Sequence, residues 1–566
     1  RELLAFQERI AAMTFFDPAC GSGNFLTETY LSLRRLENEV VRAAAVDTQD
    51  MPALGEAFTP IRVSIDRFYG IEINDFAVVV ARTAMWIAET GMKRETASIV
   101  HHDLDFFPLR SEAHITEDNA LRLDWPTVCP SPNYIIGNPP FVGYSLQSKE
   151  QKEDLLSVYV DEADKPYKAA GKIDYVAGWY FKAAEMMQGT AIRAALVSTN
   201  SITQGEQVAF VWKPLVERFG IHIDFAYRTF RWDSEMAEKA HVHCVIIGFS
   251  TAPADHLPRI YDDKGDFVEV RHLNYYLMDA EDVFVESRTK ALCDVPTMAK
   301  GSQPTDGGAL LIEEEDYADF IKKEPGALPY IKRFVGAEEF IKGKMRYCLW
   351  LVGVSPAVIR KLPLVLQRVE AVRASRLASK KEATRKSADT PTLFQEIRQP
   401  DSNYLLVPRV SSERREYVPI GFMSPDVITS DSAHIIPSAG LYHFGILTSS
   451  VHNAWMRAIC GRLEMRYRYS KDIVYNNFPW PTVTDADRAK IEATAQAILD
   501  ARAAYPDSSL ADLYDATTMP PDLRRAHSRN DAAVLRLYGL PADATEPTIV
   551  AHLMNLYKEL IAKNEK

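Results

Sequence analysis

The chain has 566 residues, with 65 Lys+Arg against 77 Asp+Glu and a formal net charge of −12. At about 150 residues per domain this length suits three or four domains, and 47% hydrophobic with 25% charged residues excludes a disordered or collagen-like chain. No run approaches the roughly 18 consecutive apolar residues of a membrane span. The first residues lack the regions of a secretory signal, and six scattered cysteines make no disulfide framework, so a reducing cytoplasm is the expected compartment.

In chain order, residues 14–16 read as a strand that enters a glycine turn, and 25–35 as a helix. A second strand (68–73) precedes an apolar helix (75–89), and 99–100 reads as a short third strand ending at His101-His102-Asp103. The stretch 134–137 is a strand that stops at Asn138, and 194–198 and 242–249 are two more. Strands separated by helices of this length predict βαβ units and a mainly parallel α/β sheet. Such sheets bind ligands at the carboxyl ends of their strands, which is where the polar residues considered next fall. From about residue 256 Pro, Tyr and charges become frequent, with short β segments expected over 402–438. Ala- and Leu-rich helical patterns follow from Asp485, which is placed to cap the first, with Pro506 beyond its end. This texture divides the chain into domains at 1–255, 256–484 and 485–566.

The turn Asp17-Pro18-Ala19-Cys20-Gly21-Ser22-Gly23-Asn24 joins the first strand to a helix. Its two glycines let the backbone turn sharply and approach a ligand. Position 26 is Leu, so the three-glycine dinucleotide pattern is incomplete, and no Gly-Lys-Ser/Thr follows to make a phosphate loop. Taken alone, the turn is equally explained as a strand–helix connection. A carboxylate, Glu72 of Glu72-Ile73, ends the second strand, suited to accept from ribose hydroxyls, and Asp103 follows the third. The order glycine turn, acid, acid fits an adenosine-containing ligand. In Asn138-Pro139-Pro140-Phe141 an amide at a strand end is followed by two backbone-fixing prolines. The Asn138 side-chain carbonyl and a Pro carbonyl make two acceptors for one exocyclic NH₂, and Phe141 offers a ring to stack on a base.

Residues 17–25 together with Asn138–Phe141 resemble the S-adenosylmethionine-dependent DNA amino-methyltransferases of the N6-adenine group, in the gamma order of motifs. Further stretches resemble the MmeI-like (type IIL) restriction–modification proteins. They are Val197-Ser198-Thr199-Asn200-Ser201-Ile202-Thr203-Gln204-Gly205-Glu206, Phe230-Arg231-Trp232 and Tyr467-Arg468-Tyr469-Ser470-Lys471-Asp472-Ile473-Val474-Tyr475-Asn476-Asn477-Phe478-Pro479. The resemblance implies a Rossmann-like seven-stranded sheet, then an α+β target-recognition domain and a helical C-terminal segment. It implies a site-specific, adenine-specific DNA methyltransferase that uses S-adenosylmethionine. By position, Asp17, Pro18, Ala19, Gly21, Gly23 and Asn24 would meet the cofactor's methionine part, Glu72 and Ile73 its ribose, and Asp103 its adenine amino group. Asn138, Pro139 and Pro140 would serve the reacting amine, with Phe141 and either Phe230 or Trp232 stacking on the flipped adenine. The partner is double-stranded DNA.

The negative total does not oppose that partner. Residues 342–415 carry 16 Lys+Arg and 6 Asp+Glu, a net of +10 ending in Arg409, Arg414 and Arg415, so the remainder carries −22. This segment is expected to meet phosphates, with a solvated charged face as the plain alternative; within it 369–390 reads as an exposed helix or a loop. In Gly461-Arg462-Leu463-Glu464-Met465-Arg466-Tyr467 an extended backbone would put Glu464 and Arg466 on one side. Glu accepts from cytosine N4 and Arg donates to guanine O6 and N7, so the two suit one C·G pair; a local ion pair explains them as well. The glycine motif begins after only 16 residues, which leaves no room upstream for the nuclease such proteins carry. A nuclease region in a longer chain or a separate restriction subunit is therefore an expected partner. His241-x-His243-Cys244 lacks a second ligand pair, and no metal site is expected. Two other readings stay open. One is an RNA or protein amino-methyltransferase; the other is a non-catalytic DNA-binding subunit of a phage-defence complex.

Overall fold

The computed structural model describes residues 2–47, 60–100, 111–232, 242–253 and 256–564. The chain forms two compact units, 1–203 with 207–284, and 204–206 with 285–566.

The first unit is built on one sheet. Its strands are β1 (Phe15–Asp17), β2 (Phe68–Glu72), β3 (His114–Glu117), β4 (Tyr134–Gly137), β5 (Arg193–Thr199), β6 (His222–Trp232), β7 (Val242–Ser250), β8 (Arg259–Tyr261) and β9 (Phe267–Glu269). They lie in the order β3-β2-β1-β4-β5-β7-β6-β8-β9. The first five pair in parallel, and β7 runs antiparallel between β5 and β6. The seven expected strands are thus present, extended by β8 and β9 at the β6 edge. Those two strands carry the first unit past the boundary drawn at 255, to residue 284.

The centre of the sheet is covered on both faces, which is why Phe15, Phe16 and Asp17 of β1 are all buried without alternation. Phe15 stacks on Phe68 and Tyr134, with centroids 5.3 and 5.4 Å away, and joins the core with α1 (Glu2–Ala11), α2 (Asn24–Asp47) and α3 (Asp75–Val100), the short α4 (Trp125–Val128) following β3. Phe16 points the other way and meets Trp125 edge-on at 5.3 Å. From β1 the chain steps outward through β2 to β3, then from β4 to β5 in the opposite direction. The crossovers diverge between β1 and β4, and a crevice opens there at the carboxyl edge.

Two sequence expectations fail in this unit. Residues 99–100 are the end of α3, not a strand, because Met85, Ala88, Met92 and Thr96 continue a buried helical stripe well past residue 89. The third strand is His114–Glu117. Strand β6 was not foreseen; register shifts between Ile223/Phe225 and Tyr227/Phe230 break its alternation.

The second unit holds three small sheets. They combine β10 (Ala299–Lys300), β18 (Ala433–Pro437), β14 (Tyr404–Pro408) and β16 (Gly421–Met423); β11 (Leu311–Glu313), β13 (Arg346–Leu349), β12 (Ile331–Val335) and β17 (Val427–Thr429); and β15 (Val410–Ser411), β20 (Arg466–Arg468) and β19 (Gly461–Leu463). The short β segments expected over 402–438 are present. The stretch 369–390 is neither a mobile loop nor a wholly exposed helix. Helix Pro363–Leu377 buries Val365, Val369, Val372 and Arg376. The Arg376 guanidinium donates to the carbonyls of Pro304, Thr305, Ser387, Thr390 and Leu393, satisfying a cation that burial otherwise penalises. The C-terminal helices are Asp485–Ala503, Leu510–Leu513, Pro521–Leu537 and Glu546–Asn564. Thr484, not Asp485, caps the first, accepting from the Asp487 N–H in a capping box.

Candidate active site

The glycine turn at the end of β1 is held from three sides. The Cys20 N–H donates to the Ile71 carbonyl (3.0 Å), the Gly21 N–H to Glu72 Oε2 (2.9 Å), and Trp179 Nε1 to the Pro18 carbonyl (2.9 Å). Gly21 has φ +53° with open space where a Cβ would stand, so glycine is needed there for conformation and not for clearance. Gly23 (φ +84°) is needed for both reasons, since a Cβ would sit 3.1 Å from Ala81 on α3.

A cleft of about 1010 Å³ opens beside this turn. Pro18, Ala19 and Gly21 form its floor at β1; Ile71, Glu72 and Ile73 come from β2, Glu117, Asp118 and Asn119 from β3, and Asn138 and Pro140 from β4. Four consecutive strand ends thus converge on one space, as the diverging crossovers require. Glu72 is at its centre. Its Oε2 accepts from Gly21 and its Oε1 from the Asn74 N–H (2.9 Å), leaving further lone pairs for ligand hydroxyls.

The acid at the third strand end is Asp118, whose N–H donates to the Glu72 carbonyl (3.0 Å). Asp103 lies outside the described residues. Asp118 was missed because β3 was placed one helix too early; the alternation His114-Ile115-Thr116-Glu117 before an acid was the available signal.

Asp17 does not line the cleft. It is 1% exposed, accepts from the Ala19 N–H (3.0 Å), and lies against Gly137, where a Cβ would come within 2.5 Å of Oδ1. Its role is to lock the Pro18-Ala19 turn against β4. Burial pushes this carboxyl up to about 7, the Ala19 N–H opposing and Glu72 adding. A raised carboxyl pKa means that the fold holds a proton which the unfolded chain releases near 4, so this contribution to stability falls as pH rises from about 4 to 7. Asp17→Asn keeps the acceptor without the charge. Its melting temperature is expected to gain on the wild type between about pH 5 and pH 8, and a pH-independent difference would refute the assignment. The Cys20 thiol is likewise pushed up, by burial first and then by Asp17 and Glu72, and is no nucleophile.

Asn138 is half-buried at the end of β4, and its Oδ1 is enclosed without a hydrogen-bond partner among the described residues. Pro139 is buried, Pro140 exposed and Phe141 half-buried. Asn24 is exposed at the start of α2. Phe230 is half-buried near the end of β6, on the same edge of the sheet as the ends of β1 and β4; Trp232 ends that strand, its side chain outside the described part. His241 also lies outside the described residues.

In the second unit Glu464 and Arg466 do not share an extended strand. Glu464 and Met465 form the two-residue tip of the β19–β20 hairpin, and Glu464 has φ +58°. Arg466 Nη2 donates to Glu464 Oε2 at 3.0 Å, and both side chains remain exposed. Behind the tip, β20 pairs with β15, and Tyr469 is fixed by His452 Nε2 (3.0 Å) and His434 Nε2 (3.2 Å). Arg409 lines a cleft of about 730 Å³ with Leu463 and Arg468 of this hairpin, donating to the Asp431 carbonyl (2.8 Å). Arg414 is exposed; Arg415 is half-buried, its guanidinium pKa lowered by burial. The +10 segment is therefore not one charged face. Arg376 is internal, Lys342 and Lys344 pair with Glu338, and Arg346 pairs with Glu313 and Glu339.

A solved structure of the type IIL restriction-modification enzyme MmeI in complex with DNA matches with a TM-score of 0.91 and 43% identity, covering 99% of this chain and 75% of that chain. The chain belongs to the MmeI family. Its family models match in series, the MmeI DNA-methyltransferase domain at residues 1–262, the MmeI target recognition domain at 279–482 and the MmeI C-terminal domain at 483–564. DNA methyltransferase A of Bacillus subtilis (strain 168) is 38% identical over 557 residues, 98% of this chain. The chain spans 62% of the length of that relative. The Tyr467–Pro479 stretch that marks the family is largely structural. Asn477 Nδ2 donates to the carbonyls of Glu286, Asp472 and Ile473, and the Tyr475 hydroxyl to that of Pro296.

Proposed function

We propose that this chain transfers a methyl group from S-adenosylmethionine to N6 of adenine at a specific site in duplex DNA, as the modification and specificity part of a restriction–modification system. The observation that carries this reading is the convergence of Asn138 on one cleft with Glu72 and the glycine turn, its enclosed Oδ1 left without a partner among the described residues. An enclosed acceptor left unmade costs about 1–3 kcal/mol, and an amine N–H recovers it. The residues fit the cofactor: Glu72 has lone pairs left for ribose hydroxyls, Asp118 stands at the adenine end, and the backbone of Pro18, Ala19 and Gly21 borders the methionine end. Bound there, S-adenosylmethionine supplies an electrophilic sulfonium methyl.

The protein's own part is to orient the amine. An adenine N6 lone pair is delocalised into the ring and is a poor nucleophile. Two acceptors on its protons, Asn138 Oδ1 and the Pro139 carbonyl, oppose that delocalisation and aim the lone pair, so positioning lowers the barrier. Phe141 stacks on the base, with Phe230 or Trp232 as its second neighbour, and offsets part of the few kcal/mol of flipping cost. Cleavage falls to a nuclease region in a longer chain or to a separate restriction subunit, acting with this protein in the cytoplasm.

Sequence choice is assigned to the β19–β20 hairpin. Holding a non-glycine residue at positive φ costs on the order of 1 kcal/mol or more, and Glu464 is held so at an exposed tip. Its ion pair with Arg466 sets the two side chains together, as reading one C·G pair requires. Long-read modification mapping of DNA from cells expressing the full gene tests both parts. N6-methyladenine is expected at one short sequence. Glu464→Lys with Arg466→Asp is expected to reverse the preference at one base pair of it. Absence of N6-methyladenine at any short sequence overturns the DNA adenine methyltransferase reading, and an unchanged site in the double variant overturns the hairpin's role alone.

A further inference from the structure

The loop between Phe141 and α5 (Lys149–Val158) is short and held along its length. The Tyr175 N–H donates to the Val142 carbonyl (2.9 Å), and the Tyr144 N–H to Asp174 Oδ1 (3.1 Å). The Leu146 N–H closes a tight turn on the Gly143 carbonyl (2.8 Å). Gln147 is buried and donates from Nε2 to the Ile173 carbonyl (2.9 Å), and Ser148 caps α5 with Gln151. Asp174, 8% exposed, also accepts from Ser201 in the helical turn that follows β5, which ties the loop to the sheet edge. A segment held in this way usually directs its apolar residues inward. This one does the reverse at its tip, where Leu146 is 80% exposed and Tyr144 48% exposed.

A lone exposed leucine means little. This one differs in its support and its place. Asn138 and Pro140 before the loop, and Ser148 and Gln151 after it, line the same cleft, so the turn leaves the cleft wall after Pro140 and rejoins it at Ser148. A base that leaves the stack leaves a hole, and proteins that distort DNA insert apolar side chains between base steps to offset the lost stacking. A leucine on a pinned turn is suited to this because ordering it on contact costs little entropy.

We propose that Leu146, flanked by Tyr144, is the wedge that enters the DNA stack as the target adenine leaves it. The inference rests on the reading of this chain as a DNA adenine methyltransferase. Its test uses the full chain and two duplexes carrying the mapped site, one with the target adenine paired and one with it opposite an abasic position, where unpairing has no cost. Leu146→Ala is expected to lower kcat/KM on the paired duplex on the order of tenfold, and on the abasic duplex by less than about twofold. Leu146→Met, which keeps an apolar side chain of similar volume, should restore most of the loss. The fluorescence rise of 2-aminopurine at the target position should shrink in parallel. Equal effects on both duplexes, or none on either, overturn the wedge. If the wild type methylates neither duplex, the methyltransferase reading fails first and the wedge with it.

Discussion

Asn138→Ala is expected to abolish methyl transfer, by roughly a hundredfold or more, while S-adenosylmethionine binding stays close to wild type. The asymmetry follows from where the side chain sits. Glu72, Asp118 and the glycine turn occupy the ends of β2, β3 and β1, and each is fixed by contacts that do not involve Asn138. Asn138 stands one strand further on, at the end of β4, and its Oδ1 makes no hydrogen bond that holds the fold among the described residues. Removing it therefore costs little stability and relieves an enclosed, unmade acceptor. The variant should melt at or slightly above the wild-type temperature. The measurements are calorimetric cofactor affinity and single-turnover methylation of duplex DNA. Near-wild-type methylation would sink the catalytic assignment. Loss of cofactor binding in step with activity would mean that Asn138 belongs to the cofactor site instead.

What the sequence disclosed was local, and what it concealed depended on packing. The turn at Asp17–Asn24 and the Asn138–Phe141 peptide are contiguous, and their chemistry is carried by neighbouring residue types, so both were legible. The third strand was not. α3 keeps a buried stripe to Thr96, and only tertiary contact shows that the chain is still helical where 99–100 looked like a strand. The acid was displaced with it, from Asp118 to Asp103. Asp17 was legible as part of the site but not as buried beneath it, because the close approach of Gly137 belongs to the β1–β4 pairing. Charge counting failed for the same reason at Arg376. It registers as one more cation in a +10 segment, whereas five carbonyls consume it inside the fold. For Glu464 and Arg466 the local ion pair is formed, at a hairpin tip where both side chains stay exposed, a turn geometry that residue spacing alone did not disclose.

Glu72→Gln, conservative in shape, is expected to be nearly as damaging to cofactor binding as Glu72→Ala. Both carboxylate oxygens already accept a backbone N–H, Oε2 from Gly21 and Oε1 from Asn74. A glutamine offers one oxygen and one NH₂, so whichever way it turns, a donor faces a donor. If the NH₂ faces Gly21, the glycine turn loses one of its two ties to β2 and keeps that of Cys20 to Ile71; if it faces Asn74, the entry to α3 shifts, and in either orientation one acceptor for the ribose is gone. Leaving one such N–H unpaired costs about 1–3 kcal/mol, so affinity for S-adenosylmethionine should fall by about 10- to 100-fold, each 1.4 kcal/mol being about tenfold. Because the reacting amine is handled at β4, the rate at saturating cofactor should recover to within a few-fold of wild type. A titration of single-turnover rate against cofactor separates the two effects. Unchanged affinity in the Gln variant would show that Glu72 holds neither the turn nor the ribose through its charge. A rate that stays low at saturation would place Glu72 in the methyl-transfer step itself, against its position three strand ends from β4's far neighbour and across β1 from Asn138.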